Sequence, residues 1–337
     1  MSTETSTRVR STGLFASPPP SVAVEIARDR VAAVTVSDGS GGPSIAAHGV
    51  EELAAGVVEP SLNAVNVHDQ EALVRAIKSA LDKAGARSRR IALVLPDTAA
   101  KVSLVRFEKV PSKSQDLDQL IRWQVRKAVP FRIEDAQVAW SPGIALPGGG
   151  REFLVTAARR DIIESYEHAC DAAGVQAGIV DLATFNVVNS ALGTGDRAGD
   201  WLVIHVAFDY VTLAVVRAND LIFFRNRATG EPGELTDLVH QTAMYHEDRL
   251  GGGGFARVVL GGAWVHGPEA AERLRRAVEE RVGVRVEPID FRGAAAMRDR
   301  IGANPALLDV LAPAIGVLLR ERPVKRSSAG GVTGRVA

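Results

Sequence analysis

The chain has 337 residues, 40 basic and 40 acidic side chains, no formal net charge and 46% apolar content. That suits a folded protein with room for one or two substantial cores, and it counts against a dedicated nucleic-acid binder, which carries a marked basic excess. The single cysteine, Cys170, excludes an intramolecular disulfide and a multi-cysteine metal site, and fits a reducing compartment, so the expected localisation is cytoplasmic.

Residues 1–21 are rich in Ser and Thr, end in Pro18-Pro19-Pro20 and lack a continuous apolar run, so they read as a disordered leader instead of a signal peptide. Alternating and continuous apolar runs then predict three strands, 22–26, 31–36 and about 44–51, joined by short turns as a meander. A helix follows over 70–84, with Leu73, Ile77 and Leu81 on one face and Gly85 placed to end it, then a buried strand over 91–95. Between about 97 and 158 lies a segment with its own order. It has a strand at 101–110, a helix at 114–129 capped by Ser114 and stopped by Pro130, a strand at 136–145, a Pro-Gly-Gly-Gly turn and a strand at 152–158. A helix at 159–173 and a strand at 176–182 complete the first half.

The same order then returns. Strands at 201–208, 211–217 and 221–227 precede a helix at 234–250, a strand at 257–260, a helix from Pro268 to Gly283 and a strand at 284–289. The pattern predicts two α/β lobes, 22–200 and 201–322, each built as βββαβαβ, with an inserted βαββ subdomain at about 97–158 of the first half. A flexible basic tail at 323–337 ends the chain. The apolar stretch 306–319 contains Asp309 and Pro313 and is too short to span a bilayer, which takes about 20 residues.

Other candidate chemistry is thin. Gly251 to Gly254 lacks the Gly-Lys-Ser/Thr of a phosphate loop and reads as a connector. His240, His246 and Glu247 lack the spacing that puts two imidazoles on one helical face, and read as surface residues; Cys170 reads as a small core side chain. From Lys101 to Arg132 eight basic residues stand against three acids, and Arg122, Arg126 and Lys127 form a basic face on the insert helix.

A duplicated βββαβαβ unit with an insertion in its first half resembles the actin-like superfamily, whose lobes are ribonuclease-H-like. Within it the chain resembles the PilM family of type IV pilus assembly proteins, with the GspL family of type II secretion as a second relative. The insert carries the resemblance: Val110-Pro111, then Ile121-Arg122-Trp123-Gln124, then Val129-Pro130-Phe131. Val155-Thr156-Ala157-Ala158-Arg159-Arg160 leading to Tyr166 and Gly174, the strand to Asp181, and Ala314-Ile315-Gly316-Val317 support it.

That resemblance implies where a nucleotide would sit. Actin-like proteins hold phosphates between two hairpins whose glycines admit backbone amides to the anion while acids organise magnesium. Here the first hairpin reads Glu25-Ile26-Ala27-Arg28 and the second His205-Val206-Ala207 followed by Phe208, so both glycines are replaced, while Gly261 and Gly262 remain at the adenosine side. The expectation is a chain without catalysis, metal or cofactor. ATP with magnesium at Glu25, Ala27, Arg28, His205, Ala207, Gly261 and Gly262, in a switch or ATPase of the same machinery, is the alternative.

The resemblance also implies a partner: the cytoplasmic N-terminal tail of a PilN-like single-pass membrane protein, lying in a groove walled by Val102, Leu104, Arg106, Ile121, Trp123, Phe131 and Trp140. Other platform proteins and an anionic membrane surface are further expected partners, with no nucleic acid. The implied location is cytoplasmic, peripheral to the inner membrane through those partners, and the implied role is that of an adaptor.

Overall fold

The computed structural model describes residues 19–39, 42–192, 198–229, 234–291, 295–297 and 304–320. The expected tail and all but the last three residues of the expected leader lie outside the described residues. The first half contains β1 (Val22–Ile26), β2 (Arg30–Gly39), β3 (Gly42–Glu52), α1 (Gln70–Lys83) and β4 (Arg90–Leu95). It continues with β5 (Lys101–Phe107), α2 (Ser114–Val125), β6 (Ala136–Ala145), β7 (Arg151–Arg159), α3 (Arg160–Ala172), β8 (Gln176–Leu182) and α4 (Ala183–Leu192). The second half contains β9 (Asp200–Val206), β10 (Tyr210–Arg217), β11 (Asp220–Ala228), α5 (Glu234–Leu250) and β12 (Arg257–Gly261). It ends with α6 (Pro268–Val282), β13 (Val286–Pro288), β14 (Ala296–Met297) and α7 (Pro305–Arg320).

The two main sheets repeat one topology. The first runs β14-β3-β2-β1-β4-β8 and the second β11-β10-β9-β12-β13, so apart from β14 each has the order 3-2-1-4-5, with an antiparallel meander and two parallel strands. This is the actin-like arrangement. The repeat extends to the first turns: the Ala27 amide donates to the Arg30 carbonyl and the Ala207 amide to the Tyr210 carbonyl, each at 2.9 Å. The residue after each third strand, Leu53 or Thr229, donates to the carbonyl of the turn aspartate, Asp29 or Asp209. Strand β9 accordingly ends at Val206, two residues short of the expected 208, because the chain already turns at Ala207. Strand β14 belongs to the second half by sequence yet pairs parallel with β3 of the first sheet.

Period-two alternation decides which side chains meet between the lobes. Val22, Val24 and Ile26 of β1 pack outward with α1 and α3, where Cys170 is fully buried and its thiol is pushed up to about 12. Leu202, Ile204 and Val206 of β9 pack outward with α5 and α6. The intervening residues Ala23, Trp201 and Val203 face inward, onto α4 and α7. Glu25 and His205, in the same alternation, therefore lie on the two inner faces. Helix α1 forms where the sequence places it: the Asp69 carboxylate accepts the Ala72 amide at 2.9 Å, and the stripe Leu73, Ala76, Ile77, Ala80, Leu81 is buried.

Helices α4 and α7 are additions to the sequence-based pattern. Helix α7, 16 residues long, buries Leu308, Asp309 and every residue from Leu311 to Leu319; a helix apolar on all sides belongs in a core. It presses on α4 at Gly316, where a Cβ would overlap the Asn186 carbonyl oxygen. No helix among the described residues is long and apolar enough to cross a membrane.

The segment between β4 and α3 has a third, antiparallel sheet in the order β5-β7-β6, and α2 covers one face of it. Ser114 does not cap α2. It is the first helical residue, Lys113 holds the cap position, and no side chain bonds the free amides there. The helix stops at Val125, before the expected 129, and 126–128 form a turn.

Candidate functional site

The residues expected at the phosphate seat converge where the inner faces of the sheets approach, but side chains fill the space between them. Glu25 is buried beside Arg30, whose Nη2 lies 3.6 Å from Glu25 Oε1 and whose Nη1 meets Asp29 at 3.1 Å. Burial pushes the Glu25 carboxyl up to about 7 against the pull of Arg30. Across from it, His205 Nδ1 lies 2.7 Å from Thr184 Oγ1, and its ring stands edge-on to Tyr210. Burial, aided by the Arg30 charge, holds this imidazole down to about 3, so it is neutral.

Asp97, just beyond β4, links the halves. Its carboxylate accepts from the Thr184 amide at 3.0 Å, from the Thr184 hydroxyl, and from the Thr212 hydroxyl of β10 at 2.6 Å. Its amide donates to the Tyr210 hydroxyl at 3.3 Å. Burial raises its pKa against these donors.

Of the two glycines expected at the adenosine side, Gly262 is the one the backbone requires. Gly262 has φ +84°, and a Cβ there would overlap the Val206 carbonyl oxygen; at Gly261 a Cβ would find only ordinary contacts of 3.5 to 3.7 Å with Val187 and Ile289. Trp264 donates to the Asp309 carboxylate at 2.8 Å, and the Gly262 amide also stabilises this carboxylate, whose pKa burial nevertheless pushes up to about 6.

These residues do not fit a triphosphate with magnesium. Arg30 is already committed to Glu25 and Asp29, Asp97 is saturated with donors, and the Ala27 and Ala207 amides close their own turns. Glu25 Oε2, Arg30 Nε and, next to Asp97, Thr98 Oγ1 are buried without a hydrogen-bond partner among the described residues. Arg28 pairs with Glu59 at 2.6 Å, and its charge reaches Asp209 of the second turn. Phe208 is exposed in its turn. Among the described residues no group of three or more His, Cys, Asp or Glu could hold a metal.

The groove residues divide among three places. Ile121 has 0% exposure in the insert core; Trp140, half-buried, packs against that core edge-on to Phe153 and donates to Asp118. Trp123 stands on the outer side of α2 with Arg126 and Lys127, while Phe131 is half-buried after the helix; Arg122 pairs with Asp118 at 2.7 Å. Only Val102, Leu104 and Arg106 share a surface. They alternate with Val105 of the core, so they lie on the sheet face opposite α2, where Arg106 meets the buried Glu152 of β7 at 2.6 Å.

Sequence reasoning missed Arg30, Asp97, Thr184, Tyr210, Thr212 and Asp309. It also placed His246 on the surface, whereas the ring is buried against Phe255 and bonds Asp200 at 2.6 Å, tying α5 to the start of β9.

The type IV pilus assembly protein PilM family matches residues 23–248, more than half of the chain. No curated protein sequence matches it. Among solved structures, a chain of the PilM-PilN type IV pilus biogenesis complex superimposes with TM-score 0.76 at 19% identity, over 90% of this chain and 99% of that one. A Bacteroides thetaiotaomicron protein of unknown function with an actin-like ATPase fold gives TM-score 0.49 at 9% identity, over 87% of this chain and 95% of that one. The cytoplasmic domain of EpsL, an inner membrane component of the Vibrio cholerae type II secretion system, gives 0.44 at 12% identity, over 71% and 80%. The chain belongs to the PilM family of type IV pilus assembly proteins.

Proposed function

We propose that this chain is a non-catalytic adaptor of a type IV pilus assembly platform, held at the cytoplasmic face of the inner membrane by the N-terminal segment of a PilN-like membrane protein. One observation supports the non-catalytic reading: two sets of buried side chains lie between the lobes, Glu25 paired with Arg30, and Asp97 and Thr184 bonded to each other and to His205, Thr212 and Tyr210. Neither ATP nor magnesium has a function in this reading. Family membership supports the partner, as does the likeness in fold to a chain of the PilM-PilN complex.

The seat for an extended peptide is the face of the insert sheet that bears Val102, Leu104 and Arg106, beside the first-lobe core that Val102 touches. Strand β5 pairs only with β7 among the described residues, so its other edge offers main-chain partners to an added strand. A labelled peptide copying the PilN-like leader tests this directly. Leu104→Asp is expected to weaken binding at least about tenfold with the melting temperature unchanged. Equal affinity in the variant would remove the groove from this face.

A further inference from the structure

The outer surface of α2 and the turn that follows it combine an exposed aromatic with two cations that make no ion pair among the described residues. Because Leu117, Ile121 and Val125 lie on the sheet, the residues on the other side of the helix point to solvent, and Trp123 stands at the crown with 55% exposure. The Arg126 guanidinium lies over its ring, 5.1 Å from the centroid, and Lys127 follows one turn beyond Trp123. Arg126 and Lys127 have no ion pair among the described residues. Arg132 is also exposed, 3.6 Å from Glu134 in solvent. From residue 119 to 133 the chain carries four basic residues and no acid.

We propose that this face is a docking surface for anionic phospholipid headgroups, with the Trp123 ring at headgroup depth and Arg126 and Lys127 against the phosphates. An indole has an apolar body and one polar N–H, the combination that settles at a membrane interface, and cations beside it complement the negative leaflet. Shape decides against an acidic peptide. The crown of a helix is convex and offers neither a groove nor a free strand edge, the features extended peptides use, whereas a bilayer presents a flat surface to it. A few cations give a weak contact, effective once another tether raises the local concentration. The inference goes beyond the adaptor reading and does not depend on it.

Sedimentation of the full chain with vesicles tests it, using phosphatidylcholine alone or with about one third phosphatidylglycerol. Two cations are expected to raise partitioning onto the anionic vesicles about thirtyfold over the neutral ones, with the gain lost in about 0.5 M salt. Arg126→Glu with Lys127→Glu removes the gain, and Trp123→Leu removes the blue shift of tryptophan emission, both at unchanged melting temperature. Equal partitioning onto both vesicle types, or unaltered binding by the charge-reversed variant, overturns the proposal. So does a soluble poly-glutamate that shifts the Trp123 emission while anionic vesicles do not.

Discussion

At the scale of single residues, burial between the sheets shifts two carboxyl groups and one imidazole toward their neutral forms. Glu25, near 7 when folded against an ordinary 4.5, keeps its proton longer in the folded state, so its contribution to stability falls as pH rises through that window. Asp309, near 6 against 3.8, has the same sign at lower pH. His205, near 3 against 6.5, has the opposite sign: the unfolded chain takes up the proton first, and stability is lost as pH falls below 6.5. Glu25→Gln therefore gains stability relative to the parent between about pH 5 and 7.5, by on the order of 2 kcal/mol, as read by urea unfolding at both ends. A difference that stays constant with pH contradicts the burial of Glu25.

The neighbouring glycines give a second comparison at this scale. Gly262→Ala must displace the Val206 carbonyl and adopt a left-handed backbone, and is expected to cost about 3 kcal/mol, whereas Gly261→Ala stays within about 1 kcal/mol. Similar melting temperatures for the two would mean that the turn tolerates a side chain. Glu25, His205 and Gly262 were legible in the sequence because they stand at the hairpin and strand-end positions of a repeated pattern. Arg30, Asp97 and Thr184 were not, because only the fold brings residues from β2, the end of β4 and α4 to one point. Asp309 left a trace, an acid in an otherwise apolar stretch, whose meaning depends on the Trp264 amide it accepts.

At the scale of elements, the strands were readable to within a few residues wherever alternation or a continuous apolar run was bounded by turn residues. Helices α1, α3, α5 and α6 announced themselves by polar and apolar faces or by end signals. Helices α4 and α7 lie between two sheets, so α7 in particular has no polar face to give it a period, and only its length could be read. The insert shows the opposite case, a periodic helix whose buried face was legible. Helix α2 divides its side chains between a core stripe and a solvent crown. Ile121→Ala is expected to cost about 3 kcal/mol through the cavity it leaves, while Trp123→Ala changes stability by less than about 0.5 kcal/mol. Comparable losses in thermal unfolding would show Trp123 to be packed.

At the scale of the whole molecule, the two lobes share one inner core made of both sheets, α4 and α7, and a polar seam crosses it from Asp97 to Thr212 and from Thr184 to His205. A chain closed in this way has its interlobe contacts supplied by its own side chains. In the proposed adaptor role the work falls to the surfaces of the insert, one face for a peptide and the crown of α2 for lipid. The duplication that fixed the architecture was visible in the order of elements. The filling of the seam was visible only in the replaced glycines, and its bonds required the structure.

The direct measurement is a calorimetric titration of the full chain with ATP and magnesium, with a thermal shift on the same sample. The seat described here predicts no saturable heat and an unchanged melting temperature at millimolar nucleotide. Saturable binding, with stabilisation of about 2.7 kcal/mol at a hundredfold excess over Kd, would show that the lobes open to a nucleotide after all.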